Sequence, residues 1–163
     1  MKPNDGPTLI AFDGSAAARQ AVAATAALLK PRVTLVLTVW EEALAHAAMA
    51  PPDVSMTPAV DPSTLLRFDD ALRDRAEGVA NEGAELARSL GLDAEPLAMA
   101  DVRDIARTIV DVAREHNAAT IVVGSRGLSG LRARFEGSTS KGVVKHAPCP
   151  VVVVHDAGAD EPG

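Results

Sequence analysis

Short apolar runs alternate with segments of helical periodicity along the chain, and this alternation is the feature that most restricts its fold. An order of strand, helix, strand favours a parallel sheet, because parallel strands need a crossover between them. We therefore predict a doubly wound α/β domain with a five-stranded parallel sheet and helices on both faces. The predicted strands are 8–12, 33–39, 95–99, 119–123 and 150–155, and the predicted helices are 16–29, 65–90, Asp101 to about 116, and 138–146.

Several residues mark where these elements begin and end. Ser15 is a predicted N-cap, Gly91 stops the long helix, and Pro96 places the third strand at a sheet edge. The Ala- and Pro-rich stretch 40–63 predicts a long loop. The apolar face predicted for the long helix consists of Leu72, Ala76, Val79, Gly83, Leu86 and Leu90.

Composition narrows the class of protein. With 163 residues, the chain fits one domain, with its core over about 8–155. A net charge of −6 disfavours nucleic acid and anionic membranes as partners. The single cysteine, Cys149, permits no internal disulfide and fits a reducing compartment. Because no apolar run approaches the ~20 residues that span a bilayer, and no signal peptide is visible, we expect a cytoplasmic protein.

A glycine-rich loop follows the fourth apolar run and leads into a predicted helix. It carries Gly124, Gly127 and Gly137, and the helix then begins with Ser138, Thr139 and Ser140. Glycines let the backbone approach an anion, and the N–H groups of a helix N-terminus attract phosphate. The loop could also be only a tight turn. Neither GxxxxGK[ST] nor GxGxxG occurs, so the P-loop and the dinucleotide fingerprint are absent.

Two residues at predicted strand ends have two interpretations each. Asp13 is either a turn residue before Gly14 or a carboxylate that accepts hydrogen bonds from ribose hydroxyls. Val39 is either ordinary core or a wall of a base pocket. If the first and fourth strands are neighbours, Asp13 and Gly124 meet at one cleft, at the carboxyl ends of the strands. Arg126, Arg132 and Arg134 form either a solvated basic loop or charge that folds over a triphosphate.

No catalytic or metal site emerges from spacing. The four histidines, His46, His116, His146 and His155, lack metal-ligand spacing. No group beyond Asp13 is available for hydrolysis, so any turnover should be slow. The strand at 150–155 contains Val151 to Val154, which are β-branched and uncharged. An exposed edge of this kind pairs readily with another chain, so we expect a homodimer joined through it, unless a helix of the same chain covers the edge.

These residues together resemble the universal stress protein family. Gly124, Gly127, Gly137 and Ser138 match the spacing of the glycine motif in the nucleotide-binding branch of that family. Phe12-Asp13-Gly14-Ser15 and the C-terminal Ala147-Pro148-Cys149-Pro150 with the valines after it are also similar to the family. The resemblance extends over about residues 8–155.

The resemblance implies a fold, a ligand and a site. The implied strand order is 3-2-1-4-5, with dimers formed through the last strand. The implied ligand is ATP or another adenine nucleotide, and a divalent ion such as Mg²⁺ on the phosphates is an option. Asp13 would hold the ribose, Val39 the adenine, and Gly124 would let the loop pass close to the ribose. The phosphates would be held by Gly127, Gly137, Ser138, Thr139 and Ser140.

The chain departs from the family at one point. Where the family often has Gly-x-Pro after the third strand, this chain has Ala100-Asp101-Val102, and the Ala100 methyl group is expected to narrow the base pocket. The favoured function is a nucleotide-binding regulatory protein of the stress response. The alternatives are a protein that prefers AMP or cyclic AMP, an interaction module that binds no nucleotide, and an enzyme that cleaves between the α and β phosphates.

Overall fold

The computed structural model describes residues 5–42, 61–101, 104–125 and 138–155. Nine strands and helices alternate within these ranges. The strands are β1 (Thr8–Ala11), β2 (Thr34–Glu41), β3 (Ala94–Asp101), β4 (Thr120–Gly124) and β5 (Val151–Val154). The helices are α1 (Ala16–Leu28), α2 (Pro62–Ser89), α3 (Ile105–Glu115) and α4 (Ser138–His146).

The strands form one parallel sheet in the order β3-β2-β1-β4-β5, which confirms the predicted fold class and strand order. The central strand β1 pairs with β2 from Thr8 opposite Thr34, and with β4 from Thr8 opposite Thr120. β3 lies at one edge, as Pro96 predicts, and β5 lies at the other. Because the strands are parallel, their carboxyl ends all lie on the same side of the sheet, which is called the carboxyl edge below.

Alternate residues of the central strands supply two separate cores. Leu9 and Ile121 lie in a core that includes residues of α3 and α4. Ile10 and Val122 lie in a second core, with residues of α1 and α2. Successive side chains of a strand point to opposite faces, so a nearly continuous apolar strand needs helices on both sides. No helix in the described ranges combines the length and the apolar character that crossing a bilayer requires.

The helix ends follow local sequence chemistry. The Ser15 hydroxyl accepts the Ala18 N–H at 3.1 Å and caps α1 as predicted. Gly91, with φ +89°, ends α2, and the Leu92 N–H reaches back to the Ala87 carbonyl at 3.0 Å. Asn117, with φ 49°, occupies the same position after α3. Each helix therefore returns the chain to the sheet through a short, hydrogen-bonded turn.

The buried face of α2 agrees with the prediction in part: Ala76 and Gly83 are buried, and Val79 and Leu86 pack against the core. Small residues form its centre, while Leu72, Val79 and Leu86 are only half-buried at its sides. Leu90 was predicted on this face, but it is the C-cap and is 45% exposed. The physical reason is the closeness of α2 to the sheet, since a Cβ added at Gly83 would lie 2.6 Å from the Phe12 ring. The buried small residues are Ala76, Ala80, Gly83, Ala84 and Ala87.

Two predicted boundaries at the carboxyl edge of the sheet were wrong. Asp101 does not begin a helix: it is the last residue of β3, and α3 begins at Ile105 with Asp104 as its N-cap. β2 continues to Glu41 instead of ending at Val39, because β3 pairs with it over its whole length. α2 begins at Pro62, three residues before the predicted start, and the rest of the predicted loop lies outside the described residues except Asp61 and Glu42.

Candidate functional site

A cleft opens at the carboxyl ends of the strands, where the chain reverses its winding direction between β1 and β4. It is open to solvent, and the space among its lining residues, open solvent included, is about 440 Å³. Asp13, Val39, Gly124, Thr139 and Ser140, which the sequence singled out, all line it. The other lining residues are Ala11, Phe12, Ala18, Leu37, Ile105, Ile109 and Val123.

Asp13 is held in place by the turn between β1 and α1. The buried Thr38 hydroxyl donates to the Phe12 carbonyl at 2.8 Å, which fixes the chain just past the end of β1. One Asp13 carboxylate oxygen accepts the Ser15 N–H at 3.0 Å, and Gly14 between them has φ +80°. The turn interpretation of Asp13 is therefore confirmed, and this turn uses one of its two carboxylate oxygens, while the contact with ribose stays a prediction.

Gly124 ends β4 directly against α1. A Cβ added there would lie 2.8 Å from the Ala17 carbonyl carbon and 3.0 Å from the Ala17 Cβ. Backbone atoms cannot rotate away from such a contact, so glycine is required for β4 and α1 to pack at this distance. The structure thus shows a close approach of Gly124 to a helix, and the approach to a ribose that the family resemblance implies stays a prediction.

The N-terminus of α4 points at the cleft. Ser138 is the first residue of the helix, and Thr139 and Ser140 are half-buried in the cleft wall. The Ser140 hydroxyl donates to the Gly124 carbonyl at 3.2 Å, so it ties α4 to β4. The backbone N–H groups of the first turn have no partner within the helix and face the same opening. Gly127, Gly137, Arg126, Arg132 and Arg134 lie outside the described residues.

The inner wall of the cleft is apolar. Leu37 and Val39 from β2, Val123 from β4, and Ile105 and Ile109 from α3 form it. Sequence reasoning found Val39 but gave the two isoleucines no role in a site. The available signal was their position, since Ile105 and Ile109 lie in the first two turns of a helix that begins at the carboxyl edge of the sheet.

The backbone of Val39 faces the same opening. The Phe12 N–H donates to the Leu37 carbonyl at 2.8 Å, so the carbonyl of Leu37 points toward β1. Backbone groups alternate sides along a strand, so Val39, two residues on, also directs its N–H and carbonyl to that side. β1 ends at Ala11, which pairs with Leu37, so the residues of β2 after Leu37 have no partner in β1. The Val39 amide and carbonyl therefore lie at the opening of the cleft.

The turn between β3 and α3 is built around Asp101. This carboxylate is only 3% exposed, and one oxygen accepts the Asp104 N–H at 2.8 Å and the Thr108 hydroxyl at 3.1 Å. Ala100 pairs with Trp40 in the sheet and is not among the residues that line the cleft in the described ranges. The described lining of the cleft thus does not include Ala100, while Asp101 fixes the start of α3.

Charged groups are sparse in the cleft. Asp13 is the one ionisable residue among those that line it in the described part of the chain. Within those ranges, no group of three His, Cys, Asp or Glu side chains could hold a metal ion. His116, His146 and His155 are exposed. Cys149 packs against the core under α3 and α4, and burial raises the pKa of its thiol above the ordinary value.

Comparison with known proteins identifies a matching family and relatives that are similar in sequence. A model described as the universal stress protein family matches residues 7–155. A universal stress protein of Thermus aquaticus, named for its place in the QAH/OAS sulfhydrylase 3' region, is 33% identical over 90% of this chain and 96% of its own length. The universal stress protein YxiE of Bacillus subtilis is 32% identical over the same shares of the two chains.

Solved structures share the fold. A universal stress protein from Lactobacillus plantarum is 25% identical, with a TM-score of 0.70 over 93% of this chain and 98% of its own. A universal stress protein from Archaeoglobus fulgidus in complex with dAMP is 21% identical, with a TM-score of 0.61 over 91% and 97%. A universal stress protein in complex with cAMP is 20% identical, with a TM-score of 0.57 over 92% and 96%.

Proposed function

The chain belongs to the universal stress protein family, and from that premise we propose that it binds ATP or another adenine nucleotide in the cleft between β1 and β4. It then acts as a cytoplasmic regulatory protein of the stress response, with little or no catalysis. The observation that carries the proposal is the cleft itself. An apolar wall, a carboxylate and a hydroxyl-bearing helix N-terminus meet there, at the switch point of the sheet.

The apolar wall suits a purine base. A base presents two flat apolar faces and a polar edge, and Ile105 and Ile109 on α3 line the cleft together with Val123 and Leu37 on the sheet. The Val39 amide and carbonyl offer one donor and one acceptor for the edge of the base. Adenine carries an acceptor nitrogen beside an amino group, which matches that pair, while guanine presents a carbonyl and an N–H at the same positions. We therefore expect adenine to be preferred over guanine.

The polar side of the cleft suits the ribose and phosphates. Asp13 has a second oxygen available to accept from ribose hydroxyls while the first holds the turn. Thr139 and the N–H groups of the first turn of α4 are donors for phosphate oxygens. Ser140 already donates its hydroxyl to Gly124, so its contribution to phosphate comes through its backbone N–H. Gly127, Gly137 and Ser138 complete the phosphate site by the family motif.

A divalent ion would need the phosphates as ligands. The described residues of the cleft supply one carboxylate, and Mg²⁺ is usually bound through one or two carboxylates plus substrate phosphates. Such an ion would neutralise phosphate charge in a cleft that otherwise relies on the helix N-terminus. ATP with Mg²⁺ is therefore the proposed ligand, and AMP and cyclic AMP are the alternatives that share its base and ribose contacts. Two of the similar structures hold dAMP and cAMP.

A homodimer through β5 is the second part of the proposal. β5 pairs with β4 on one side, and its four valines are half-buried in the single chain. β3, at the other edge, carries Pro96 and Glu95, which oppose edge pairing. The uncharged β5 edge is therefore the edge at which a second copy would pair.

The test is the melting temperature of the protein with ATP, ADP, AMP, cyclic AMP and GTP, each with and without Mg²⁺. A ligand that binds only the folded state, at about 100 times its dissociation constant, raises the melting temperature of a chain this long by about 5 °C or more. We expect such a shift with adenine nucleotides and a smaller one with GTP. No shift with any of them would reject nucleotide binding and favour the interaction module.

A matched pair of variants tests the site. Asp13→Asn keeps an oxygen for the Ser15 N–H but removes the charge, and we expect it to weaken ATP binding about tenfold, the effect of one lost charge-assisted hydrogen bond. Asp111→Asn removes a carboxylate that is 61% exposed and pairs with Arg114. Equal ATP affinity in the two variants would exclude Asp13 from the site.

A further inference from the structure

The two helices on one face of the sheet, α3 and α4, meet at a contact that leaves no room for a second methyl group. A Cβ added at Gly142, in the middle of α4, would lie 2.7 Å from the Ala106 Cβ in the first turn of α3. Ala106 is buried, and neither its methyl group nor a methyl on Gly142 could rotate away. Any side chain at position 142 would therefore push the helices apart.

Both helices bring residues to the cleft. α3 supplies Ile105 and Ile109 to the apolar wall, and α4 supplies Thr139 and Ser140 to the polar side. Ile105 is the neighbour of Ala106 in sequence, and Thr139 lies three residues before Gly142, about one turn away. The distance between the helices at Gly142 thus sets the distance between the apolar wall and the helix N-terminus.

Among the described residues, more hydrogen bonds hold the start of α3 than the start of α4. The buried Asp101 carboxylate accepts hydrogen bonds from Asp104 and Thr108 at 2.8 and 3.1 Å, and Asp104 caps the Ala106 N–H at 3.1 Å. The N-terminus of α4 is tied to the sheet by the hydroxyl of Ser140, at 3.2 Å from the Gly124 carbonyl. A methyl group at Gly142 would therefore displace α4, and the Ser140 bond would stretch first.

We propose that Gly142 is a specificity-determining position of the cleft, although it does not line it. By letting α4 approach Ala106, it places the first turn of α4 within reach of the 5′-phosphate of a nucleotide whose base contacts Ile105 and Ile109. The cleft then favours 5′-phosphorylated adenine nucleotides over adenosine. This inference rests on the proposed function, because it concerns the same ligand site.

The first experiment compares adenosine, AMP and ATP binding to the wild type and to Gly142→Ala by calorimetry. Displacement of α4 moves the phosphate donors but leaves the base and ribose contacts in place. We expect AMP and ATP to bind about tenfold more weakly, as for the loss of one hydrogen bond to a charged group, and adenosine to be unchanged within about twofold. A merely structural role would weaken all three ligands equally.

Two control variants separate this contact from general effects of alanine. Gly78, inside α2, has no atom within 4 Å of an added Cβ, so Gly78→Ala makes a similar change in a helix without a clash. It should keep the wild-type ratio of ATP to adenosine affinity. The double variant Ala106→Gly with Gly142→Ala moves the methyl group from one helix to the other, and it should restore that ratio.

The outcomes are distinct. The inference is overturned if Gly142→Ala keeps the wild-type ratio of ATP to adenosine affinity. It is also overturned if the double variant has the same altered ratio as Gly142→Ala. In both cases nucleotide binding still stands. A wild type that binds neither adenosine nor nucleotides overturns the proposed function and the inference with it. Should Gly142→Ala not fold, Ala106→Ser enlarges the same contact from α3 by one atom, and a smaller change of the ratio in the same direction is then expected.

Discussion

Residues without large side chains determine much of this site. Gly124 lets β4 end against Ala17, Gly83 lets α2 cross Phe12, and Gly142 lets α4 approach Ala106. At each of these three positions, a Cβ atom would lie less than 3.0 Å from an atom of another element. In a chain with 2% aromatic residues, close approach of backbones fills the core where bulky side chains otherwise would.

The variant Gly124→Ala tests whether β4 and α1 need a glycine to pack at their observed distance. The added methyl group would meet the Ala17 backbone at 2.8 and 2.9 Å, so we expect overpacking to lower the free energy of unfolding by about 1–3 kcal/mol. Urea denaturation measures it. Gly78→Ala is the control, and it should raise the free energy of unfolding by up to about 1 kcal/mol through helix propensity. Unchanged stability in Gly124→Ala would mean that α1 can shift without cost.

At the scale of elements, the two sheet edges differ. The Ile121 N–H binds the Pro150 carbonyl at 3.0 Å, and the Ser125 N–H binds the Val154 carbonyl at 2.8 Å. Since backbone groups alternate sides along a strand, Val152 also faces β4, while Val151 and Val153 direct their N–H and carbonyl groups to the open edge. The proposed dimer would use the groups of Val151 and Val153.

Two proline variants of β5 separate folding from association. Val153→Pro removes an N–H that faces outward, so we expect it to abolish the dimer and leave the folded chain largely intact. Val152→Pro removes an N–H that faces β4, and it should lower the melting temperature. Light scattering gives the mass, and circular dichroism gives the melting temperature. A wild type that is monomeric, or a dimeric Val153→Pro, would contradict dimerisation through β5.

The elements also show how far sequence reasoning reached. α1 begins at Ala16 with Ser15 as its cap, and α4 runs from Ser138 to His146, both as predicted. Caps and turn residues act within a few positions, so local sequence reports them. The placing of Leu90 on the buried face of α2 and the end of β2 at Val39 were wrong, because each depends on the distance to another element.

The whole molecule places its proposed ligand where the sheet reverses direction. Asp13 after β1 and Gly124 at the end of β4 come together because β1 and β4 are neighbours. This arrangement would position the proposed nucleotide but would supply little for its chemistry, since Asp13 is the one ionisable residue that lines the cleft in the described ranges. That residues 8–155 unfold as a single domain stays a prediction.

Because the cleft offers so few catalytic groups, we predict that the protein hydrolyses ATP slowly. Hydrolysis requires a positioned water and stabilisation of developing charge. We expect phosphate release well below about 1 per second, the low end of typical enzyme rates, in a coupled assay with purified protein. A faster rate that Asp13→Ala abolishes would establish an enzyme, and release of pyrophosphate would favour cleavage between the α and β phosphates.

The sequence by itself determined the order of strands and helices, the N-cap of α1, the stop of α2 at Gly91, and the spacing of the glycine motif. These features depend on periodicity and turn chemistry, which operate over a few residues. Only the tertiary structure decided that Ile105, Ile109 and Val39 line one cleft, that Asp101 anchors α3, and that Gly142 contacts Ala106. Such contacts join residues of different elements, and the distance between two packed elements is fixed by every side chain between them.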